Sequence, residues 1–102
     1  MNNLMALLNT TITSRTPDNT SSRHGAEVRA ILRAHGRLSA NVDDLSDECD
    51  LYNAGLTSLS TVNLMLALED HFDVEFPDRM LGRKTFGSIR SISDAVEEIL
   101  TL

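Results

Sequence analysis

The sequence predicts an all-α fold, a small four-helix bundle of three long helices and one short helix, with a long first loop. Three segments, 24–35, 59–72 and 91–102, carry apolar residues at the spacing of one helix face. A chain of 102 residues suits one domain, which we place at residues 24–102. Because only 4% of the residues are aromatic and Trp is absent, we expect an aliphatic core.

The first residues differ in composition from the rest of the chain. Residues 10–22 consist mainly of Thr, Ser, Asn, Pro and Asp, and such a segment has too little apolar surface to order itself. A signal peptide would need a basic start and a small-residue cleavage site, which this segment lacks. We therefore expect a disordered N-terminal tail over residues 1–23.

The first helix is predicted from His24 to His35, and Gly36 is a natural stop. Its apolar positions follow the i, i+3, i+4, i+7 pattern at Val28, Ile31, Leu32 and His35. We interpret His35 as a surface or half-buried residue, because no Cys, His or acid pair at metal-ligand spacing accompanies it.

The long first loop, residues 38–56, is rich in acids: Asp43, Asp44, Asp47, Glu48 and Asp50. A calcium loop would need alternating oxygen ligands around a central Gly, so we favour a solvated acidic loop. We expect Val42, Leu45 and Leu51 to anchor the loop to the core. Cys49 has no basic neighbour in sequence that would activate it as a nucleophile, so we interpret it as a buried or half-buried structural residue.

The central helix, 59–72, begins at the most informative part of the sequence. Gly55 allows a turn before the helix, and Thr57 or Ser58 can cap its first N–H groups. Ser58 would present its hydroxyl beside the partly positive end of the helix, where a phosphate group is favoured.

The central helix also carries two apolar stripes. We predict that one stripe joins the core; it consists of Thr61, Leu64, Met65, Leu68 and Phe72. Leu59, Val62 and Leu66 lie nearly opposite. Because a small domain cannot easily bury a helix on all sides, we predict that this second stripe faces a partner.

The remaining chain is predicted to complete the bundle. Pro77 can begin the short fourth helix. Four apolar residues are expected to anchor the connecting segments: Val74, Phe76, Phe86 and Ile89. The last helix is predicted over 91–102, with Ser91 and Asp94 as a capping pair. Its core stripe is predicted at Ile92, Val96, Ile99 and Leu100.

Charge and cysteine content limit the function. The formal net charge of −6 argues against nucleic-acid binding, which relies on basic patches. One basic cluster interrupts this acidity, at Arg79, Arg83 and Lys84, and we interpret it as balancing the acidic loop rather than as a binding patch. The single Cys cannot form an internal disulfide, so we expect a reducing, cytoplasmic location. No apolar run approaches the length of a membrane span.

The motif D-L-x-x-x-G-L-x-S-L, which starts at Asp50, is followed by V-x-L-x-x-x-L-E-x-x-F and then by Pro77. This pattern resembles the acyl carrier proteins, and the likeness runs from about Val28 to the C-terminus. The resemblance implies a bundle of the acyl-carrier type, with 4'-phosphopantetheine from coenzyme A attached to Ser58 by a phosphopantetheinyl transferase. The arm's thiol would hold the cargo as a thioester, and the protein itself would be a non-catalytic monomer.

Thr57 and Asn63 stand where most fatty-acid carriers have acids. The sequences GLTSL and EFPDRMLGRKTFGSI more closely resemble stand-alone aminoacyl carrier proteins, which are charged by ligases related to seryl-tRNA synthetases. We therefore expect a small amino acid cargo, such as glycine or alanine, loaded by an amino acid ligase. The expected partner-facing residues are Thr57, Leu59, Val62, Asn63 and Leu66. The alternative is a carrier for fatty-acid, polyketide or peptide biosynthesis, served by an acyl-loading enzyme.

Two other function classes are less favoured. A hydrolase using Ser58 would need a base and an oxyanion site, and G-L-T-S-L does not match G-x-S-x-G. A plain interaction domain, with Ser58 only a helix cap, would leave the second apolar stripe unexplained.

Overall fold

The computed structural model describes residues 23–102, which form a three-helix bundle without β-strands in that range. Helix α1 spans Gly25–His35, α2 spans Ser58–Phe72 and α3 spans Ile89–Leu100. Helix α1 packs against both α2 and α3. The predicted all-α fold is thus confirmed, while the predicted tail, apart from Arg23, lies outside the described residues.

The predicted short fourth helix is only a single 3₁₀ turn, Asp78–Met80, with Pro77 immediately before it. A further 3₁₀ turn, Val42–Asp44, lies in the long first loop. The segments flanking the second turn are anchored by the buried residues Phe76 and Phe86, whose stacked rings have centroids 5.4 Å apart. Ile89 is buried as predicted, and Val74 packs partly buried against the same core.

The first helix agrees closely with its prediction. Val28, Ile31 and Leu32 are buried, while His35 is exposed. His24 precedes the helix, and its backbone N–H donates to the Ser93 hydroxyl on α3 at 3.0 Å. This bond ties the start of α1 to the last helix.

Ion pairs with α1 and α3 hold the acidic loop in place. Arg29 of α1 contacts Asp47 at 2.7 Å, and Arg90 of α3 contacts Glu48 at 3.1 Å. Arg33 also reaches Asp43, at 2.8 Å. Beneath these pairs, the predicted anchors occupy the core, with Val42 and Leu51 buried and Leu45 partly buried.

In the described part of the chain the basic cluster makes no ion pair within 4.0 Å with the acidic loop. Arg83 and Lys84 nevertheless line a depression together with Glu48 and Asp50, so the charge-balance interpretation stays a prediction. Arg79 instead contacts Glu98 of α3 at 3.0 Å, and the Arg83 guanidinium lies over the Tyr52 ring. The ion-pair partners of the loop are Arg29, Arg33 and Arg90. These arginines lie outside the loop in the sequence, so the pattern of charges within the loop could not reveal them.

The last helix begins before its predicted start. Ser88 is its N-cap and forms a capping box with Ser91, so Asp94 is not a capping partner. Ile92 and Val96 are buried and Ile99 is partly buried, as predicted. Leu100, the last residue of the helix, is 44% exposed, so its assignment to the core was wrong.

Cys49 is half-buried, as expected, and is a free thiol. Across residues 23–102, no group of three or more His, Cys, Asp or Glu is placed to hold a metal ion. No helix in the described part of the chain is both long and apolar enough to cross a membrane.

Candidate functional site

A tight turn sets the position at which α2 begins. Gly55 has a φ of 116°, and a Cβ there would lie 2.8 Å from the Ser39 nitrogen. Next to it, the Ser39 N–H and hydroxyl donate to the Ala54 carbonyl at 3.0 and 2.9 Å. Only glycine allows both this backbone angle and this approach, so Gly55 fixes the α2 start against the beginning of the long loop.

The N-terminus of α2 is closed by a capping box formed by Thr57 and Ser60. The Ser60 N–H donates to Thr57 Oγ1 at 3.1 Å, and the Thr57 N–H donates to Ser60 Oγ at 2.9 Å. Thr61 Oγ1 donates to the Thr57 carbonyl at 2.6 Å. The hydroxyls of Thr57, Ser60 and Thr61 are therefore all used to build the start of the helix.

Ser58 is the hydroxyl residue of this group that the helix start does not use. It is the first residue of α2, it is exposed, and its side chain makes no hydrogen bond to any residue in the range 23–102. Of the two caps that the sequence allowed, Thr57 is the one observed, so Ser58 is not simply a helix cap. An exposed, unengaged hydroxyl beside the positive end of a helix is well suited to carry a covalently attached phosphate.

A groove of about 410 Å³ adjoins Ser58 and is open to solvent. One wall belongs to α2, and the other is formed by Tyr52 and the segment between the second 3₁₀ turn and α3. Its lining residues are Tyr52, Ser58, Thr61, Val62, Met65, Leu81, Gly82, Arg83 and Phe86. The sequence does not reveal this groove, because Tyr52 and Arg83 are distant in the chain and share no short motif.

The two stripes of α2 lie where the sequence predicted. Leu64 and Leu68 are fully buried. The flanking members Thr61, Met65 and Phe72 are half-buried. On the other side, Leu59, Val62 and Leu66 are 72%, 49% and 53% exposed. Thr57 and Asn63 are also exposed, so the predicted partner-facing residues lie on one accessible surface, and their role in binding stays a prediction.

Glu69 has a structural role that the sequence did not reveal. Its Oε2 accepts the Phe76 N–H at 2.9 Å, and its carbonyl accepts the Val74 N–H at 3.1 Å. Between these bonds, Asp73 reverses the chain with a φ of 56°. Glu69 is thus engaged in ending α2, which leaves Asp70 as the exposed acid at the far end of the helix.

The histidines are not arranged for hydrolysis at Ser58. In the described part of the chain, no histidine lines the groove beside that serine. His24 lies 2.7 Å from Glu97, and His71 lies 3.3 Å from Glu27. Within residues 23–102, no histidine therefore lies beside Ser58 to act as its general base.

The chain matches a known protein family over most of its described length. Residues 28–96, from the first helix to the last, match the family described as "Phosphopantetheine attachment site". The chain belongs to this family. The characteristic prosthetic group of the family is 4'-phosphopantetheine, whose thiol holds acyl groups as thioesters, and the free hydroxyl and open groove at the start of α2 are compatible with it.

Individual members of the family that resemble this chain include an aminoacyl carrier protein. The chain is 52% identical over 75 residues to an aminoacyl carrier protein of Agrobacterium fabrum, a match that covers 74% of this chain and 90% of the relative. A second match comes from a crystal structure of engineered Bradyrhizobium japonicum glycine:[carrier protein] ligase complexed with carrier protein from Agrobacterium tumefaciens and ATP. The matched chain is 49% identical in sequence to this protein. That match has a TM-score of 0.73 and covers 76% of this chain and all of the other.

A third match comes from the complex of Bradyrhizobium japonicum glycine:[carrier protein] ligase with glycylated carrier protein. It is 25% identical, has a TM-score of 0.61, and covers 71% of this chain and 96% of the other. Two of these three matches therefore come from crystal structures of a glycine:[carrier protein] ligase in complex with a carrier protein.

Proposed function

We propose that this protein is an aminoacyl carrier, with 4'-phosphopantetheine attached through Ser58 and a small amino acid held as a thioester on the arm. The observation that carries the proposal is the exposed Ser58 hydroxyl. It alone among the neighbouring hydroxyls 57–61 is free of the bonds that form the helix start. Attachment there would leave the capping box intact.

The cargo is proposed to be glycine or alanine. The relatives include an aminoacyl carrier protein and a glycylated carrier protein. The α2 surface lacks acids at Thr57 and Asn63, and Glu69 is engaged in ending the helix. A loading enzyme that docks through basic residues would therefore find few carboxylates on α2. The groove beside Ser58 is open to solvent and would bury a long acyl chain only in part.

The protein is proposed to need other enzymes for each chemical step. A phosphopantetheinyl transferase would attach the arm, and an amino acid ligase would load it after docking on the surface around Leu59, Val62 and Leu66. We propose no catalytic role for the chain itself and no nucleic-acid or membrane partner. The carrier domain would comprise residues 24–102, act as a monomer and work in the cytoplasm.

The attachment site can be tested by intact-mass measurement after co-expression with a transferase. The wild-type protein should gain the mass of one phosphopantetheine group, and Ser58→Ala should gain none while keeping its helical content. Ser60→Ala is the matched control, because it removes a capping hydroxyl and leaves Ser58 in place. We expect this control to be modified, although it should lose about 0.5–2 kcal/mol of stability. Modification of the Ser58→Ala protein would refute the assignment.

The cargo can be tested by competitive loading of the phosphopantetheine-bearing form. An amino acid ligase and a fatty-acyl loading enzyme would be assayed side by side, with acyl transfer followed by intact mass. Aminoacyl transfer should dominate, with glycine or alanine preferred. Efficient fatty-acyl loading without aminoacyl transfer would overturn the choice of cargo and leave the attachment proposal standing.

A further inference from the structure

Arg83 occupies an unusual place beside the candidate attachment site. Its guanidinium carbon lies 3.9 Å from the centroid of the Tyr52 ring, within the range of a cation–π contact. Both residues line the groove that also includes Ser58. Tyr52 is itself held close to α2, since the Thr61 hydroxyl lies 3.5 Å from the Tyr52 hydroxyl.

Arg83 differs from most arginines of the described chain in its choice of partner. Arg29, Arg33, Arg79 and Arg90 each contact a carboxylate at 3.1 Å or less. Within residues 23–102, no carboxylate lies within 4.0 Å of the Arg83 guanidinium.

The two acids that lie beside Arg83 in the fold contact other groups. Glu48 and Asp50 line a neighbouring depression together with Arg83. Glu48 contacts Arg90 at 3.1 Å, and Asp50 accepts the N–H groups of Tyr52 and Asn53 at 3.0 and 3.3 Å. A guanidinium that contacts a ring through its face keeps its N–H edge for an anion. Within residues 23–102, Arg83 is therefore a cation without an anionic partner, in a groove next to a candidate phosphate-attachment point.

We propose that Arg83 is a positioning residue for the attached arm, which pairs with the phosphodiester on Ser58 while Tyr52 holds the guanidinium over the groove. This inference rests on the proposed attachment at Ser58. A phosphodiester keeps one negative charge, and arginine is well suited to bind phosphate oxygens through two N–H groups. The contact would restrict the directions in which the arm leaves the helix start.

The test is ³¹P NMR of the phosphopantetheine-bearing protein, with the transferase reaction driven to completion and verified by intact mass. Arg83→Ala should shift the phosphodiester resonance, and Arg83→Lys should restore part of the wild-type shift. Arg37→Ala is the matched control, because Arg37 also has no carboxylate within 4.0 Å in the described chain but lies outside the groove. This control should leave the resonance unchanged.

Three further measurements keep the result independent of folding defects in the Arg83 variants. In the wild-type protein, attachment of the arm should shift the Arg83 Nε–H signal more than that of Arg37. Tyr52→Leu should move the ³¹P resonance towards that of Arg83→Ala, whereas Tyr52→Phe, which keeps the ring, should not. Raising the salt to about 1 M, where the Debye length is about 3 Å, should also move the wild-type resonance in that direction.

The outcomes separate the inference from the function on which it rests. A wild-type protein that gains the arm on Ser58, with the same ³¹P resonance in wild type and Arg83→Ala, overturns the role of Arg83 alone. An Arg83 Nε–H signal that moves no more than that of Arg37 does the same. A wild-type protein that gains no mass overturns the proposed attachment itself.

Discussion

The two faces of α2 allow fold and partner binding to be tested separately with matched substitutions on one helix. Leu68 is fully buried, whereas Val62 is 49% exposed. Truncation of a fully buried Leu removes its transfer free energy and leaves a cavity, so Leu68→Ala should cost about 2–5 kcal/mol of unfolding free energy. Val62 already has about half of its surface in water, so Val62→Ala should cost less than about 1 kcal/mol. The higher helix propensity of Ala offsets part of that cost.

The assay combines thermal unfolding with ligase loading of the same purified variants. For a domain of this size, 1 kcal/mol shifts the melting temperature by about 4–8 °C, so Leu68→Ala should lower it by at least about 8 °C. Val62→Ala should change the melting temperature little. Its loading kcat/KM should fall about five- to tenfold, the effect of truncating an interface anchor worth about 1–1.4 kcal/mol.

Two further variants serve as controls and decide the outcome. Leu66→Ala lies on the same exposed surface and should behave like Val62→Ala. Leu100→Ala, 44% exposed on α3, should alter neither stability nor loading markedly. The reasoning fails if Val62→Ala and Leu66→Ala load at the wild-type rate. It also fails if Val62→Ala destabilises the protein as much as Leu68→Ala does.

Two predictions concern the local structure that positions the site. Gly55→Ala should destabilise the protein by about 1–3 kcal/mol, because Ala is strained at a positive φ and would approach Ser39 too closely. Gly82→Ala, where an added Cβ meets nothing within 4 Å, should be neutral or stabilising in the same chemical-denaturation measurement, and equal losses would contradict this account. Ser88→Ala should cost about 0.5–2 kcal/mol by removing the α3 cap, whereas Asp94→Ala should cost far less. If Asp94→Ala lowers the melting temperature more than Ser88→Ala does, the cap formed by Ser91 and Asp94, as predicted from the sequence, would be the correct one.

The sequence could predict those features that depend on periodicity along a single helix. Apolar spacing placed Val28, Leu32, Leu64 and Leu68 in the core, and all four are buried. The same spacing predicted the exposed stripe of α2. These predictions succeed because the period of a helix is fixed by its backbone geometry, whatever the rest of the chain does.

Helix ends were predicted less well because several hydroxyl residues compete for each cap. Ser88 and Ser91 are both good N-cap residues, and the choice depends on which one the fold places at the start. Here Ser88 is the cap, and Ser91 Oγ also donates to the Thr85 carbonyl at 2.8 Å, a contact with the chain before the helix. The start of α2 had the same ambiguity between Thr57 and Ser58, which the Ser60 side chain resolves.

Contacts between distant segments could not be predicted at all from local pattern. Tyr52 and Arg83 meet because the long loop and the segment before α3 pack against the same side of α2. The Leu51 N–H donates to the Gly87 carbonyl at 2.8 Å, and the Arg90 N–H donates to the Asp47 carbonyl at 2.9 Å. These backbone bonds bring the two segments together, and no single-segment periodicity encodes them.

At the start of α2, folding and the proposed attachment depend on different hydroxyls within five residues. A helix start needs side-chain acceptors for its free N–H groups, and an attachment site needs a hydroxyl that is accessible and unengaged. In this chain, different hydroxyls can meet the two needs. Here Thr57 and Ser60 satisfy the helix, and Ser58 lies between them with its hydroxyl exposed. Loss of the Ser58 hydroxyl should therefore leave the fold intact, whereas loss of the Ser60 hydroxyl should weaken the fold and leave the attachment point in place.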